Sequence, residues 1–597
     1  MKSIKKLRNS IKRLMPFISP YKKSFILATL FIVVACFLNG IAPVIEGLIT
    51  TSLMEDVNMM RLQQATGVNF TFVIRIMVIL LIIYIIQKGS NVVTSFALTD
   101  GIQNMMRDLR NAIEEKIHRL PISYFDAHQY GDVLSRISND IDSISNALQQ
   151  TFNLILNGVL TVSFALYMLF TINPLMAISA FVILPLSLIV SKVVVNISQK
   201  RFVLQQAAYG KLNGTITEMY TGFNEIQLYN KQKDAIVDFK KINNELFNQG
   251  LKAQFISSIM GPLISGITYI GIGLIAMMGA LNVINGIITV GNLQASIRYI
   301  WYINEPLYSV SSLSGTIQSA FAAIERVFEI LDETEEIASE EHLSIPVEQI
   351  KGNVDFEHVS FGYTADKILI KDLSIHVEAG QTVAIVGPTG AGKTTLINLL
   401  MRFYEINGGA IKVDGMDTRA MSRDELRSIF GMVLQDTWLY SGTIEDNIRY
   451  GRLEATREEI VKAAKIANVH HFIKTLPKGY DTPLNEEANN ISVGEKQLLT
   501  IARAILCNPS IMILDEATSS VDTRLEMQLQ KAMKNVMQNR TSFVIAHRLS
   551  TIKTADLILV MNQGTIIEQG NHETLMAKKG FYESLYNSQF ADCQDEE

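Results

Sequence analysis

At 597 residues the chain exceeds what a single hydrophobic core organises, so two or more domains are expected. Hydrophobic residues make up 48% and charged residues 19%, with the apolar excess in the first half, a balance too greasy for an ordinary soluble enzyme. The net charge of −5 argues against a nucleic-acid binder that works through a basic surface.

Residues 1–23 form a basic segment, and no short apolar region with a cleavage site follows, so no removable signal is expected. A membrane-crossing helix needs ~20 mostly apolar residues to span ~30 Å of hydrocarbon. Six segments meet that need, at 24–49, 71–95, 150–172, 174–197, 256–281 and 286–312. Basic residues cluster before the first segment (Lys2, Lys5, Lys6, Arg8, Lys12, Arg13, Lys22, Lys23) and after the second and fourth (Arg107, Arg110, Lys116, Arg119; Lys200, Arg201, Lys211). The other connections are short, or in the longer first one carry Arg61 as their basic residue, and the positive-inside rule then puts both termini in the cytoplasm of a multi-pass cell-membrane protein. Frequent Ile, Lys and Asn fit an AT-rich bacterial genome.

The two inner connections, 96–149 and 198–255, carry helical periodicity with few breakers. As out-and-back hairpins they reach ~40 Å below the membrane. Their tips are expected near Phe125–Asp132 and Thr221–Gln227, where Gly131 and Gly222 permit a turn. The membrane part is thus 24–320, followed by an acidic linker over 321–347 with Asp332-Glu333-Thr334-Glu335-Glu336. From Val354 the pattern alternates strand, turn and helix, giving a soluble α/β domain over 348–585 and a polar acidic tail over 586–597. Cys36, Cys507 and Cys593 share no metal-ligand or disulfide spacing.

Within the α/β domain, Val383-Ala384-Ile385-Val386 reads as a buried strand that runs into Gly387-Pro388-Thr389-Gly390-Ala391-Gly392-Lys393-Thr394, and Thr395 opens the helix after it. This strand, glycine loop and helix is the setting of a phosphate-binding loop, in which backbone N–H groups and a helix N-terminus converge on phosphate. Lys393 should reach the β- and γ-phosphates of ATP and the Thr394 hydroxyl should ligate Mg²⁺. Ile511-Met512-Ile513-Leu514-Asp515-Glu516 is an apolar strand ending in two carboxylates. Asp515 suits the Mg²⁺ shell, and Glu516 suits a general base for the attacking water.

In order, these motifs resemble an ATP-binding cassette (ABC) transporter of the exporter type over essentially the whole chain. The resemblance implies an α-helical six-span membrane domain with long intracellular helical hairpins, followed by an α/β P-loop ATP-binding cassette, and ATP hydrolysis coupled to transport. It implies further roles: Tyr363 stacks on adenine, Gln435 touches Mg²⁺, Asp522 belongs to the D-loop and His547 is the switch histidine. Glu486 matches the glutamate of the family's cross-linking loop, and the tip near Phe125–Asp132 matches its first coupling helix.

One motif departs from the family. Where the pattern is Leu-Ser-Gly-Gly-Gln, the chain has Ile491-Ser492-Val493-Gly494-Glu495. Val493 brings a β-branched side chain to a position without a Cβ, and Glu495 puts a negative charge toward an anionic nucleotide. The chain's own ATP loop is complete, but the signature it offers a partner is degraded. That combination resembles the catalytic-glutamate half of heterodimeric bacterial multidrug exporters, so a second ABC half transporter is expected as partner. A homodimer that tolerates Val493 and Glu495 is the alternative.

The expected cargo is a hydrophobic or amphipathic small molecule. In the sixth segment Arg298, Trp301, Tyr302 and Glu305 share one helical face. The aromatics suit amphipathic or cationic compounds, Arg298 suits an anion or a pairing with Glu305, and a boundary anchor is equally consistent. Met277 and Met278 read as packing. The start of the sequence shows no peptidase-like domain, which disfavours a leader-trimming peptide exporter. A lipid translocator shares the same engine, whereas a nucleotide-gated channel is disfavoured by Glu516 and His547. Partners therefore include the lipid bilayer and no nucleic acid.

Overall fold

The computed structural model describes residue 10 and residues 12–64, 67–312, 314–336, 349–364, 367–434, 437–485, 488, 490–515, 523–546 and 549–590. They form two units, Met1–Arg119 with His128–Glu333, and Leu120–Ala127 with Thr334–Glu597.

The first unit is helical: α1 (Lys22–Arg61), α2 (Phe70–Ile117), α4 (Tyr130–Ser135), α5 (Ile141–Ile172), α6 (Pro174–Thr221), α7 (Phe223–Leu228), α8 (Gln232–Ile284), α9 (Val290–Ser312) and α10 (Ser314–Asp332). The short α3 (Ile122–Ala127) clusters with the second unit. Local chemistry sets the turns. Asn173 is extended and its side chain accepts from the N–H of Leu175 (3.0 Å) and Met176 (3.2 Å), while Pro174 opens α6, where no N–H is needed. Asn69 caps α2 the same way, through Phe72 N at 3.2 Å.

Among the described residues, five helices are long and apolar enough to cross a membrane, over Lys12–Arg61, Phe70–Ile117, Tyr130–Ile172, Pro174–Thr221 and Gln232–Ile284. The expected sixth segment forms α9 but falls outside that set, carrying Asn292, Gln294, Arg298, Asn304 and Glu305. It is nonetheless the central packing element. Tyr299 is fully buried and donates to the Gly40 carbonyl at 2.6 Å. The backbones of α1 and α9 also cross at Gly47 and Gly291, where an added Cβ would meet the facing main chain at 2.4 Å and 1.8 Å. Outward apolar residues such as Ile26, Leu81, Ile85 and Phe181 stay exposed, as a lipid-facing wall requires.

At 48–53 residues, α2, α6 and α8 run for about 72–80 Å, far beyond any bilayer. α3 and α7 lie at the expected hairpin tips. A π-helical turn, Arg136–Asp140, opens the returning arm. There Asp140 is clamped by Arg326 of α10 through two bonds (2.8 and 2.5 Å), and Arg136 bridges Asp132 (3.0 Å) and Glu329 (3.1 Å). α10 runs on through Asp332, so the first part of the stretch read as linker is helical. Residues 337–347 of that linker lie outside the described residues.

The second unit contains two main sheets beside a short antiparallel pair, β7 (Gly442–Thr443) with β8 (Pro483–Leu484). The antiparallel one has the order β2 (Ile370–Val377), β1 (Val354–Phe361), β4 (Gly408–Val413), β5 (Met416–Asp417). The other has the order β12 (Thr565–Gly570), β11 (Leu557–Asn562), β3 (Thr382–Val386), β10 (Thr541–Ile545), β9 (Ile511–Asp515), β6 (Phe430–Val433), all parallel except the β11–β12 pair. Parallel strands covered on both faces read as unbroken apolar runs. Val383, Ile385, Ile511 and Ile513 therefore pack into one core with Phe356 and α11 (Lys393–Leu400). Ala384, Val386, Met512 and Leu514 pack into a second core with helices between 444 and 506.

Candidate functional site

The parallel sheet assembles the site. β3, β10, β9 and β6 are neighbours, and Ile545 lies level with both Ile385 and Asp515, as Val433 does with Leu514. The Gly387 loop, Asp515 and the chain leading to 516, 547 and 435 thus all leave the carboxyl edge of one sheet, where open α/β sheets bind ligands. Motifs more than 100 residues apart meet because their strands do. Glu516, Asp522, His547, Gln435 and Glu486 themselves lie outside the described residues.

The loop is shaped as the sequence requires. Gly392, at φ 104°, caps α11 in the left-handed region, and Leu396 donates to its carbonyl at 3.0 Å. Lys393 Nζ donates to the carbonyls of Gly387 (2.7 Å) and Pro388 (3.2 Å), so the ammonium lies across the mouth of the loop. Burial pushes its pKa down, and the nearby Asp515 carboxylate opposes that shift. Thr394 is exposed, and Asp515, the last residue of β9, is half-buried. Thr395 is buried and bonded to the Tyr363 hydroxyl at 3.0 Å.

Tyr363 is half-exposed and stands edge-on to Phe361 and Tyr404, with ring centroids 5.0 and 4.9 Å away. Sequence reading missed Tyr404, whose hydroxyl donates to Asp126 in the segment that clusters with this unit. The signal available was an aromatic pair, Phe403-Tyr404, directly after α11. It also missed the β11–β12 hairpin, whose Gly564 N–H donates to Ala391 of the loop at 3.0 Å. Gln563 and Gly564 both have positive φ, 47° and 78°, the two-residue turn that an apolar run, Asn-Gln-Gly and a second strand advertise.

The signature residues sit elsewhere. α16 (Val493–Cys507) is the helix reached after α12 (Arg423–Ser428), α13 (Ile444–Arg449), α14 (Arg457–Ile466) and α15 (His470–Thr475). Among the described residues no hydrogen bond joins Ser492–Glu495 to the 387–395 loop. Val493 is 59% exposed at the first position of α16, and Gly494 is buried. Glu495 has a local role at the start of its own helix. Its carboxylate folds back to accept from Ser492 N at 2.7 Å, completing a capping box in which Ser492 Oγ accepts from Glu495 N at 3.4 Å. Four unpaired N–H groups at a helix start draw a nearby carboxylate inward. Glutamine has the same reach, so Glu495 is structurally a mild change and Val493 is the sharper departure.

The comparisons agree with this geometry. Residues 25–307 match the family described as ABC transporter transmembrane region, and 370–519 match that described as ABC transporter. The chain is 46% identical over 516 residues to a fatty acid ABC transporter ATP-binding/permease protein of Mycobacterium bovis, covering 86% of this chain and 81% of that one. It is 38% identical to an uncharacterized ABC transporter ATP-binding protein of Bacillus subtilis, covering 98% and 95%. It is 34% identical to an ATP-dependent lipid A-core flippase of Syntrophus aciditrophicus, covering 86% and 85%. A helical multi-pass membrane unit fused to a complete phosphate-binding loop places the chain in the ABC transporter family, as an exporter-type half transporter that couples ATP hydrolysis to transport.

Proposed function

We propose that the chain exports hydrophobic or amphipathic compounds by alternating access, as one half of a dimer whose two ATP sites differ. In this reading α9 completes six spans, both termini are cytoplasmic, and the chain supplies its 387–394 loop, Asp515 and Glu516 to the active site. The oxygen set of Thr394 and Asp515 suits Mg²⁺, which takes one or two protein oxygens plus phosphates, with Gln435 as a further contact. Among the described residues no cluster of three His, Cys, Asp or Glu competes for a metal. When bound, the ion would neutralise phosphate charge. Lys393 would swing from the Gly387 and Pro388 carbonyls to the phosphates, and Glu516 would orient water while His547 holds the γ-phosphate.

The observation that carries the unequal-site reading is Val493, exposed at the start of α16 where a partner's nucleotide would meet this chain. A branched side chain there keeps the helix N-terminus from closing on phosphate. The closed pair binds ATP better than the open one, and that difference alone drives the switch. The test is ATP turnover of the purified chain in lipid nanodiscs, with Glu516→Gln as the blank and oligomeric state recorded on the same sample. Negligible turnover, recovered by Val493→Gly or by a partner with an intact signature, supports the heterodimer. Robust Glu516-dependent turnover from a homodimer refutes it.

A second reading, a homodimer that moves a lipid or lipid-linked compound, is favoured by two relatives, one named for fatty acid and the other for lipid A-core. Lipid cargo is compatible with either assembly. Export of fluorescent lipid from inverted vesicles, compared with a lipophilic dye, separates the cargo classes.

A further inference from the structure

The acidic stretch after α10 is fixed close to where it leaves the membrane unit. α10 ends at Asp332, and its last turns are tied into that unit. Arg13 pairs with Asp332 and lays its guanidinium over the Phe328 ring, 4.3 Å from the centroid, while Phe17 meets Phe328 edge-on at 6.5 Å. With the clamp of Arg326 on Asp140, these contacts make α10 move with the helices it packs on.

Four residues further along the chain, Glu336 is held by the cassette. Three guanidiniums gather there: Arg402, just after α11, and Arg423 and Arg427 on α12. Glu405 accepts from Arg402 (2.8 Å) and Arg423 (2.7 Å). Glu336 brings a second carboxylate, whose two oxygens accept from Arg427 at 3.0 and 3.4 Å, with Arg423 at 3.7 Å. The Phe403 ring lies 5.2 Å from the Arg427 guanidinium and steadies it. Glu336 is 19% exposed and Arg423 14%, so water screens this contact less than an ordinary surface pair. A forked guanidinium–carboxylate contact also fixes direction, which a point charge does not.

Chain length makes the contact mechanical. Beyond the linker, Lys351, Gly352 and Asn353 donate to Asp414 and so belong firmly to the cassette. An extended chain from Asp332 to Lys351 reaches about 65 Å, whereas from Asp332 to Glu336 it reaches about 14 Å. As flexible coils, the two spans spread over roughly 24 Å and 11 Å. A long tether goes slack, and a short one transmits displacement.

We propose that Glu336 is a positioning residue that shortens the tether between the membrane unit and its cassette, so that cassette movement pulls on α10. α9 ends at Ser312 and α10 begins at Ser314, so the pull continues into α9. This goes beyond the export reading and depends on neither the cargo nor the partner. The test uses the full chain in nanodiscs without nucleotide, its native cysteines replaced by serine. Spin labels are attached at Ala322→Cys on α10 and Lys371→Cys on β2, both exposed positions. Electron–electron double resonance then reads the width of the distance distribution. Glu336→Lys, which sets like charge against Arg423 and Arg427, should widen it roughly twofold, the ratio of the two coil spreads. A short Gly-Ser insertion between Glu333 and Thr334, ahead of the contact, should widen it as well. The same insertion between Ser339 and Glu340, behind the contact, should leave the parent width. Fluorescent-nucleotide affinity should match the parent in all three, and the paired insertions decide the matter if Glu336→Lys disturbs the cassette. Unchanged width in Glu336→Lys with parent affinity, or equal widening by both insertions, overturns the proposal. Neither turnover nor transport enters the readout, so the export reading keeps its own separate test.

Discussion

Glu495 offers the sharpest test of how the signature helix begins. In Glu495→Ala the acceptor for Ser492 N, now at 2.7 Å, is gone. Ser492 is exposed, so water takes the orphaned N–H and the loss is an ordinary capping loss of about 1 kcal/mol, not the larger penalty of a buried donor. Alanine returns roughly 0.3 kcal/mol through its better helix propensity. The remaining ~0.7 kcal/mol corresponds to about threefold faster local opening. Hydrogen exchange by mass spectrometry on the full chain in nanodiscs, over peptides covering 492–498, reads that opening directly. Glu495→Gln keeps an acceptor at the same reach and should exchange like the parent. If the glutamine variant exchanges as fast as the alanine variant, or the alanine variant matches the parent, the carboxylate does not cap α16.

Tyr363→Phe loses the 3.0 Å bond to Thr395 but keeps the ring, so ATP affinity should hold, whereas Tyr363→Ala should weaken it about two- to tenfold in a fluorescent-nucleotide titration. Gly564→Ala would put a Cβ 1.7 Å from the Leu369 carbonyl oxygen at φ 78°, exceeding an ordinary overpacking cost of about 1–3 kcal/mol and tilting the wall beneath the ATP loop. Nucleotide affinity should fall sharply, while Gly380→Ala, also left-handed (φ 85°) but facing open space, should spare it. Burial pushes the Asp414 carboxyl up, but N–H groups of Asn353, Gly352 and Lys351 (2.9, 3.1 and 2.7 Å) outweigh it and hold the pKa below the ordinary 3.8. That stabilisation is full above the ordinary value and is lost as pH falls through the lowered one. Exchange protection at 351–353, corrected for intrinsic rates, should therefore drop only in strong acid, and Asp414→Asn should remove the pH dependence.

The phosphate-binding loop was legible because its chemistry is local. A buried strand, glycines that free backbone N–H groups, and a helix start specify the site within about a dozen residues. The long helices and the tips at α3 and α7 were legible for the same reason, since length, hydropathy and a turn glycine act over short stretches. α9 was less so. Its Arg298, Asn304 and Glu305 dilute the apolar signal, and only packing against α1, α5 and α8 shows it as the centre of the unit.

Three features needed the tertiary structure. The capping bond of Glu495 was hidden, because a sequence shows which group is present but not which N–H it satisfies. Tyr404 and Gly564 were invisible because their partners, Asp126 and Ala391, are distant in the chain. By itself the sequence determined which groups could handle ATP and which stretches could face lipid, since those follow from residue type and short-range spacing. Strand order and helix packing decided which of those groups stand within reach of each other, because hydrogen bonds, capping and cavities are set by distances that only the folded chain defines.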